Sequence, residues 1–229
     1  MRDSSGLSST GSPLLFTFRQ IADSLIDLFF PPRCVGCGAR GSLLCDRCQA
    51  SLPSVEPIRD PRSAITERRA TADFEGVIQQ AIHRLKYENQ PRLAVPLGLR
   101  LAAELRRSGW IPSLITAAPL HEARLRQRGY NQSALLAQAL AAQTHLPFMP
   151  DIIWRVRDTR AQVGLNYAER QANVADAFQA NPTACAGQRI VIVDDVYTTG
   201  ATLNACALAL RTAGALDVWA LTVAATPKP

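Results

Sequence analysis

The sequence predicts an α/β fold, a mostly parallel sheet flanked by helices, with a small cysteine-rich module ahead of it. Apolar runs of strand length alternate with segments of helical periodicity from about residue 61 onward, and that alternation builds parallel sheets covered on both faces. Near the N-terminus, Cys34, Cys37, Cys45 and Cys48 form two C-x2-C pairs, the spacing of a zinc-ribbon-like module. Further on, the run Ile190–Val193 leads through Asp194, Asp195 and a Thr/Gly turn into a helix. Open parallel sheets bind their ligands at that edge.

The 229 residues, 47% of them hydrophobic, suffice for one sizeable core and a satellite module. Residues 1–15, rich in Ser and Gly, read as a disordered tail. Residues 16–60 read as an N-terminal helix, the cysteine module and a linker, and residues 61–229 as the α/β domain. Phe18, Ile21, Leu25, Leu28 and Phe29 recur at helical spacing over Phe16–Phe30, where Pro31-Pro32 stops the helix, and Pro53 to Pro61 forms the linker.

Helices are then predicted over Glu75–Tyr87 and Arg92–Arg107, the second ended by Gly109. Leu114–Ala118 is a strand entering Pro119, followed by a basic loop and a helix over Gln132–Gln143 with Asn131 as its N-cap. Arg189–Val193 is a strand ending in Asp194-Asp195. Ala201–Ala213 is a helix with Gly214 as its C-cap, and Leu216–Ala224 is a buried strand.

No apolar run reaches the ~18 residues that a membrane helix needs, because Ile21–Phe30 is interrupted by Asp23, Ser24 and Asp27. That run also lacks the basic flank and small-residue cleavage site of a signal peptide. The expectation is a cytoplasmic protein without a membrane span. Its net charge of +6 is concentrated between Arg84 and Arg128, where nine Lys/Arg face three Glu. Such a stretch suits a diphosphate or a nucleic-acid backbone, the alternative being a solvated face.

Seven residues separate the two cysteine pairs, and Gly36, Gly38 and Gly41 permit tight turns between them. Four thiolates complete the tetrahedral shell of Zn²⁺ and leave no position open for chemistry. A structural zinc site is therefore favoured over two disulfides, since a cytoplasmic chain holds its thiols reduced. Cys206, among Leu203, Ala207 and Leu210, reads as a small hydrophobe, and Cys185 as an incidental loop residue.

The segment from Ile190 to Thr202 carries the most chemistry. Asp194 and Asp195 suit the two vicinal hydroxyls of a ribose, and their charge favours Mg²⁺ held by diphosphate oxygens. Thr198, Thr199, Gly200, Ala201 and Thr202 suit a phosphate, through backbone N–H groups, a helix N-terminus and hydroxyl donors. No Lys follows Gly200 and no G-x-G-x-x-G occurs, so this is neither a Walker A loop nor a dinucleotide fingerprint. An Asp-capped turn with ordinary N-capping threonines is the plainer alternative.

As a block, the apolar strand, paired acids and Thr/Gly loop resemble the fingerprint of type I phosphoribosyltransferases. Other segments stand in the order of the ComF (competence protein F) family: the cysteine module, Phe74-Glu75-Gly76, Leu85-Lys86-Tyr87, Pro119-Leu120-His121, Arg124-x-Arg126-x-Arg128-Gly129-Tyr130-Asn131-Gln132, and Gln162 to Asn173 with Arg170. The resemblance runs from about Ile21 to Ala225, with Ala117 standing where the family usually carries a proline.

The resemblance implies a type I phosphoribosyltransferase-like domain over residues 61–229 and a cytoplasmic role in handling DNA taken up during natural transformation. It makes the basic loop the holder of the diphosphate. Arg124, Arg126 and Arg128 alternate, so in an extended loop they would share one side, with Lys86 and His121 as further contacts. A solvated Lys86 is the alternative. Tyr130 and Asn131 are candidates for stacking on or recognising a base. The implied cofactors are structural Zn²⁺, and Mg²⁺ with phosphoribosyl diphosphate. Three functions stay open: transfer of ribose 5-phosphate to a nucleobase or other nitrogen nucleophile, single-stranded DNA binding with the pocket as a ligand sensor, and docking of a helicase-like or DNA-loading partner on the zinc module.

Overall fold

The computed structural model describes residues 31–156 and 177–227. The helix expected over Phe16–Phe30 and the Gln162–Asn173 segment with Arg170 lie outside these residues. In chain order the elements are α1 (Asp46–Ala50), β1 (Glu67–Ala70), α2 (Gly76–Tyr87), α3 (Ala94–Ser108), β2 (Leu114–Ala117), α4 (Glu122–Arg128) and α5 (Gln132–Thr144). They continue with β3 (Ile153–Arg155), β4 (Phe178–Ala180), α6 (Pro182–Cys185), β5 (Arg189–Tyr197), α7 (Ala201–Thr212) and β6 (Asp217–Ala225).

The main sheet has the order β1-β6-β5-β2, and every pairing in it is parallel. β3 and β4 form a separate antiparallel pair. The central strands are buried on both faces, which is why they read as continuous apolar runs rather than alternating ones. Their pleat divides the core in two. Val191 and Val193 join Leu85, Leu97, Leu101, Leu136 and Leu140 from α2, α3 and α5 on one face. Ile190 and Ile192 join Leu203, Cys206 and Leu210 of α7 on the other. Helices α3 and α5 approach so closely that a Cβ on Gly98 would lie 2.4 Å from the Cβ of Ala139.

The cysteine module is seated on the first of these faces. Cys34, Val35, Leu44 and Cys48 are buried in the same cluster as α2 and α3, and a Cβ on Gly36 would meet Val77 of α2 at 2.7 Å. Arg100 of α3 ties the module to the sheet, donating from Nη2 to the Thr71 carbonyl (2.8 Å) and from Nη1 to the Gln49 carbonyl (3.3 Å).

Several elements differ from expectation. β1, Glu67-Arg68-Arg69-Ala70, has no apolar run to announce it and forms because buried Glu67 is held by Arg59 Nε and Arg69 Nε, both at 2.7 Å. β5 continues past the two acids, since Val196 and Tyr197 still pair with Ala224 and Ala225 of β6. Cys185 is a fully buried core residue at the end of α6 rather than an incidental loop residue. Among the described residues no helix is long and apolar enough to cross a membrane.

Candidate functional site

The C-terminal ends of β2 and β5, the N-terminus of α7 and the last turn of α2 enclose a cleft of about 410 Å³, within the size range of small-ligand sites. Lys86, His121, Arg124, Arg128, both aspartates and the whole turn Thr198–Thr202 line it. Arg126 does not.

Arg126 is excluded because the segment expected to be extended is the helix α4. His121 caps it, Nδ1 accepting from the Ala123 N–H at 3.1 Å, and Gly129, at φ 81°, ends it. On a helix, residues four apart share a face and residues two apart do not. Arg124 and Arg128 therefore face the cleft together, while Arg126 turns outward to Glu122, 3.0 Å away.

The two carboxylates are held by different partners. Asp195, 4% exposed, receives Lys86 Nζ at 2.6 Å and Gln132 Nε2 at 2.7 Å. Asp194 accepts from Ser133 Oγ at 2.6 Å and from the Asp195 N–H at 2.9 Å. Burial, and then the neighbouring charge of Asp195, push the Asp194 carboxyl up to about 7, against the opposing pull of Ser133 and Lys86. Lys86 is thus an ion-pair partner inside the cleft and not a solvated surface residue. Gln132 and Ser133 carried no role in the sequence reading. Their signal was two polar residues opening an Ala/Leu-rich helix directly after its cap, which aims the positive end of α5 at the acids.

The phosphate turn depends on Gly200. Its φ is 75°, and a Cβ there would sit 1.8 Å from the hydroxyl of Tyr197, so a side chain is barred both by conformation and by contact. Thr199 Oγ1 accepts from the Ala201 N–H at 3.4 Å, and the twelve-residue helix α7 points its N-terminus at the cleft.

Tyr130 and Asn131 are engaged elsewhere. Tyr130 donates its hydroxyl to the Leu85 carbonyl at 2.5 Å, and Asn131 caps α5 while its Nδ2 donates to the Ala118 carbonyl at 3.0 Å. Both brace the end of α2 and the edge of β2 instead of facing a base.

At the cysteine module all four Sγ atoms lie within 4.8 Å of one another. The Cys45 N–H donates to Cys34 Sγ at 3.4 Å. Burial pushes the Cys34 thiol up, but backbone N–H groups of Cys45, Cys37 and Gly36 outweigh it and bring the group down to about 6. Burial and the three neighbouring thiols push Cys48 up to about 12. Four thiols this close cannot all ionise without a central cation, and a soft, closed S₄ set fits Zn²⁺.

A parallel sheet with paired acids and a Thr/Gly phosphate turn at its C-terminal edge, joined to one four-cysteine zinc ribbon, defines a type I phosphoribosyltransferase fold with an N-terminal zinc module. Two family models match accordingly, a double zinc ribbon domain over residues 25–62 and a phosphoribosyl transferase domain over residues 130–229. The chain is 32% identical over 197 residues to DNA utilization protein YhgH of Escherichia coli K12, covering 83% of this chain and 82% of that protein. It is 31% identical over 199 residues to competence protein F of Haemophilus influenzae, covering 83% and 84%. The chain belongs to the ComF family that these two proteins represent. A solved adenine phosphoribosyltransferase from Thermoanaerobacter pseudethanolicus superposes with a TM-score of 0.40 at 17% identity, over 75% of this chain and 95% of that one.

Proposed function

We propose that the cleft binds phosphoribosyl diphosphate and that the protein serves DNA uptake or processing in the cytoplasm, contacting single-stranded DNA. The observation that carries this reading is the pair Asp194–Asp195, held by Lys86, Gln132 and Ser133 beside the N-terminus of α7. Each acid keeps acceptor capacity for one ribose hydroxyl. The turn Thr198–Thr202 takes the 5′-phosphate, and Arg124, Arg128, Lys86 and His121 face the diphosphate. Arg126 is withdrawn from that set because it points to Glu122. Bound Mg²⁺ would neutralise diphosphate oxygens near the two acids.

DNA contact is supported by Tyr87 at the rim of the cleft, 68% exposed, with the Arg128 guanidinium 5.4 Å from its ring centroid. An exposed ring beside a cation is a stacking platform for an unpaired base. The relatives' names, competence protein and DNA utilization protein, agree with such a role.

Calorimetric titration of phosphoribosyl diphosphate with Mg²⁺ into wild type and the Asp194→Asn/Asp195→Asn variant tests the cleft. The expected loss is about 1–3 kcal/mol of binding. Unchanged affinity would reduce the two acids to a turn cap. For DNA, affinity for an oligothymidylate should fall steeply with salt, and salt-independent binding would rule out the basic face.

A further inference from the structure

Behind the phosphate turn lies a second cleft of about 450 Å³, within the size range of small-ligand sites. One wall is the first turn of α7, with Gly200 and Asn204, and the other is the strap of residues 58–66. That strap is fastened by side chains. Asn204 Oδ1 accepts from Ser63 Oγ at 2.8 Å and from the Ala64 N–H at 2.9 Å. Arg211 donates to the Ala64 carbonyl at 2.6 Å and to Thr66 Oγ1 at 2.7 Å. Tyr197, Thr199 and Gly200 line both clefts, and the Tyr197 hydroxyl packs directly on Gly200. The wall between the clefts is therefore closed, and whatever occupies the second is a ligand in its own right, not an extension of the first.

The second cleft carries donors that the fold does not use. Arg68, on β1, lays the face of its guanidinium on Tyr197, Cζ 3.6 Å from the ring centroid. Among the described residues the N–H edge of that group makes no hydrogen bond and no ion pair. Stacking uses the face and leaves the edge free to fork onto an anion. Asp60, the one carboxylate in the lining, is taken up by Arg62 at Nε (3.2 Å) and Nη2 (3.3 Å). Burial lowers the Arg68 pKa, with Tyr197 and Asp60 only partly offsetting it, as for a cation short of counter-charge. On the facing wall, Asn204 spends its Oδ1 on the strap while its Nδ2 donates to nothing among the described residues. A charged fork and an amide donor on two walls suit a tetrahedral phosphate better than a carboxylate, whose lone pairs lie in one plane. Ile58 and Ile65 give the cleft an apolar side. With Asp60 committed to Arg62, nothing here matches the two acids that the first cleft offers a ribose.

We infer that the second cleft is a separate binding site for a phosphate monoester with an apolar body, the phosphate on Arg68 and Asn204 Nδ2 and the body against Ile58 and Ile65. The site uses no residue assigned to the phosphoribosyl group, so either reading can fail while the other stands.

The test is a titration of phenyl phosphate into the full-length ¹⁵N-labelled protein, followed by amide chemical shifts. This probe has the phosphate and an apolar ring but no ribose hydroxyls. Saturable shifts are expected at Ser63, Ala64, Ile65 and Arg68, and the affinity read from them should fall about tenfold or more in Arg68→Gln. Shifts confined to α4 and Thr198, with the strap unmoved, would place the probe in the first cleft and overturn the inference. Strap shifts that keep their affinity in Arg68→Gln would overturn it as well. Benzoate, the planar counterpart, should bind about tenfold more weakly, and equal binding would overturn the assignment to phosphate. The two wild-type titrations decide by themselves should Arg68→Gln not fold. Phosphoribosyl diphosphate with Mg²⁺, added to protein saturated with phenyl phosphate, should leave the strap shifts in place, and their reversal would show that the two ligands share one cleft.

Discussion

The zinc module and the phosphate cleft are built from sequence in opposite ways. The module's four ligands come from one stretch of chain, Cys34 to Cys48, and their spacing alone brings the sulfurs within 4.8 Å. The cleft takes Lys86 from the end of α2, Arg124 and Arg128 from α4, Gln132 and Ser133 from α5 and the aspartates from β5. Only the sheet and its helices bring these together. A local site is insensitive to errors elsewhere in the fold, whereas an assembled site reports on every element that supplies it. The two are joined by α2, which rests its Val77 against Gly36 of the module and delivers Lys86 to Asp195 at its other end.

The largest expected effect follows from that joint. The sequence reading draws a boundary at residue 60, yet Cys34 and Cys48 share the main core with α2 and α3. Metal analysis should find about one zinc per chain, and Cys48→Ser should cost more than about 4 kcal/mol in thermal unfolding, since the metal's binding energy is folding energy. An unchanged melting temperature of the α/β domain would show the module to be separable.

Gly200→Ala comes next, at about 2–3 kcal/mol. The positive φ and the Tyr197 hydroxyl both oppose a methyl group. Pairing it with Tyr197→Phe, which removes the oxygen at the closest approach, should recover part of the loss in a denaturant titration. No recovery would leave the backbone as the whole cause.

Asp194 should make stability depend on pH. Its carboxyl is pushed up to about 7 in the folded protein, above the ~3.9 of an unfolded chain. The folded state therefore binds the extra proton between these values. Its contribution is fully present below about pH 4 and is lost as pH rises through about 7. Melting curves from pH 5 to pH 8 should show this decline in wild type and a flatter profile in Asp194→Asn. The same slope in both would place the titration elsewhere.

The smallest effect is expected at Arg126. Its ion pair with Glu122 is solvent-exposed, so Arg126→Ala should change stability by less than about 0.5 kcal/mol and leave anion binding intact. Arg124→Ala/Arg128→Ala should weaken diphosphate binding. Equal losses from both variants would mean that α4 unwinds on binding and restores the extended arrangement that the alternating arginines suggested.

Much of the fold was legible because its signals are local. Gly109 ends α3 in left-handed conformation, Asn131 caps α5, and the apolar runs of β5 and β6 are continuous. β1 was not legible, since two arginines and a glutamate hide an edge strand in which Glu67 and Arg69 are satisfied by Arg59, by one another and by Glu104 and Arg68 stacks on Tyr197. The helical state of α4 was missed for a similar reason. Alternating charges suggest extension, while the His121 cap on the Ala123 N–H and the Glu122–Arg126 pair, four residues apart, favour a helix.

By itself the sequence determined the inventory of chemistry: a four-thiol metal set, two adjacent acids behind an apolar strand run, a glycine in the turn before α7, and a concentration of arginines before α5. Spacing and residue type suffice for these because each lies within one element or turn. Tertiary structure decided which groups meet. It paired Lys86 with Asp195, set Gln132 and Ser133 on the acids, turned Arg126 away, and opened a second cavity at Arg68 behind the same turn. Those contacts join residues as much as 129 positions apart, and distances of that kind are set by parallel strand pairing and helix packing, which no local pattern encodes.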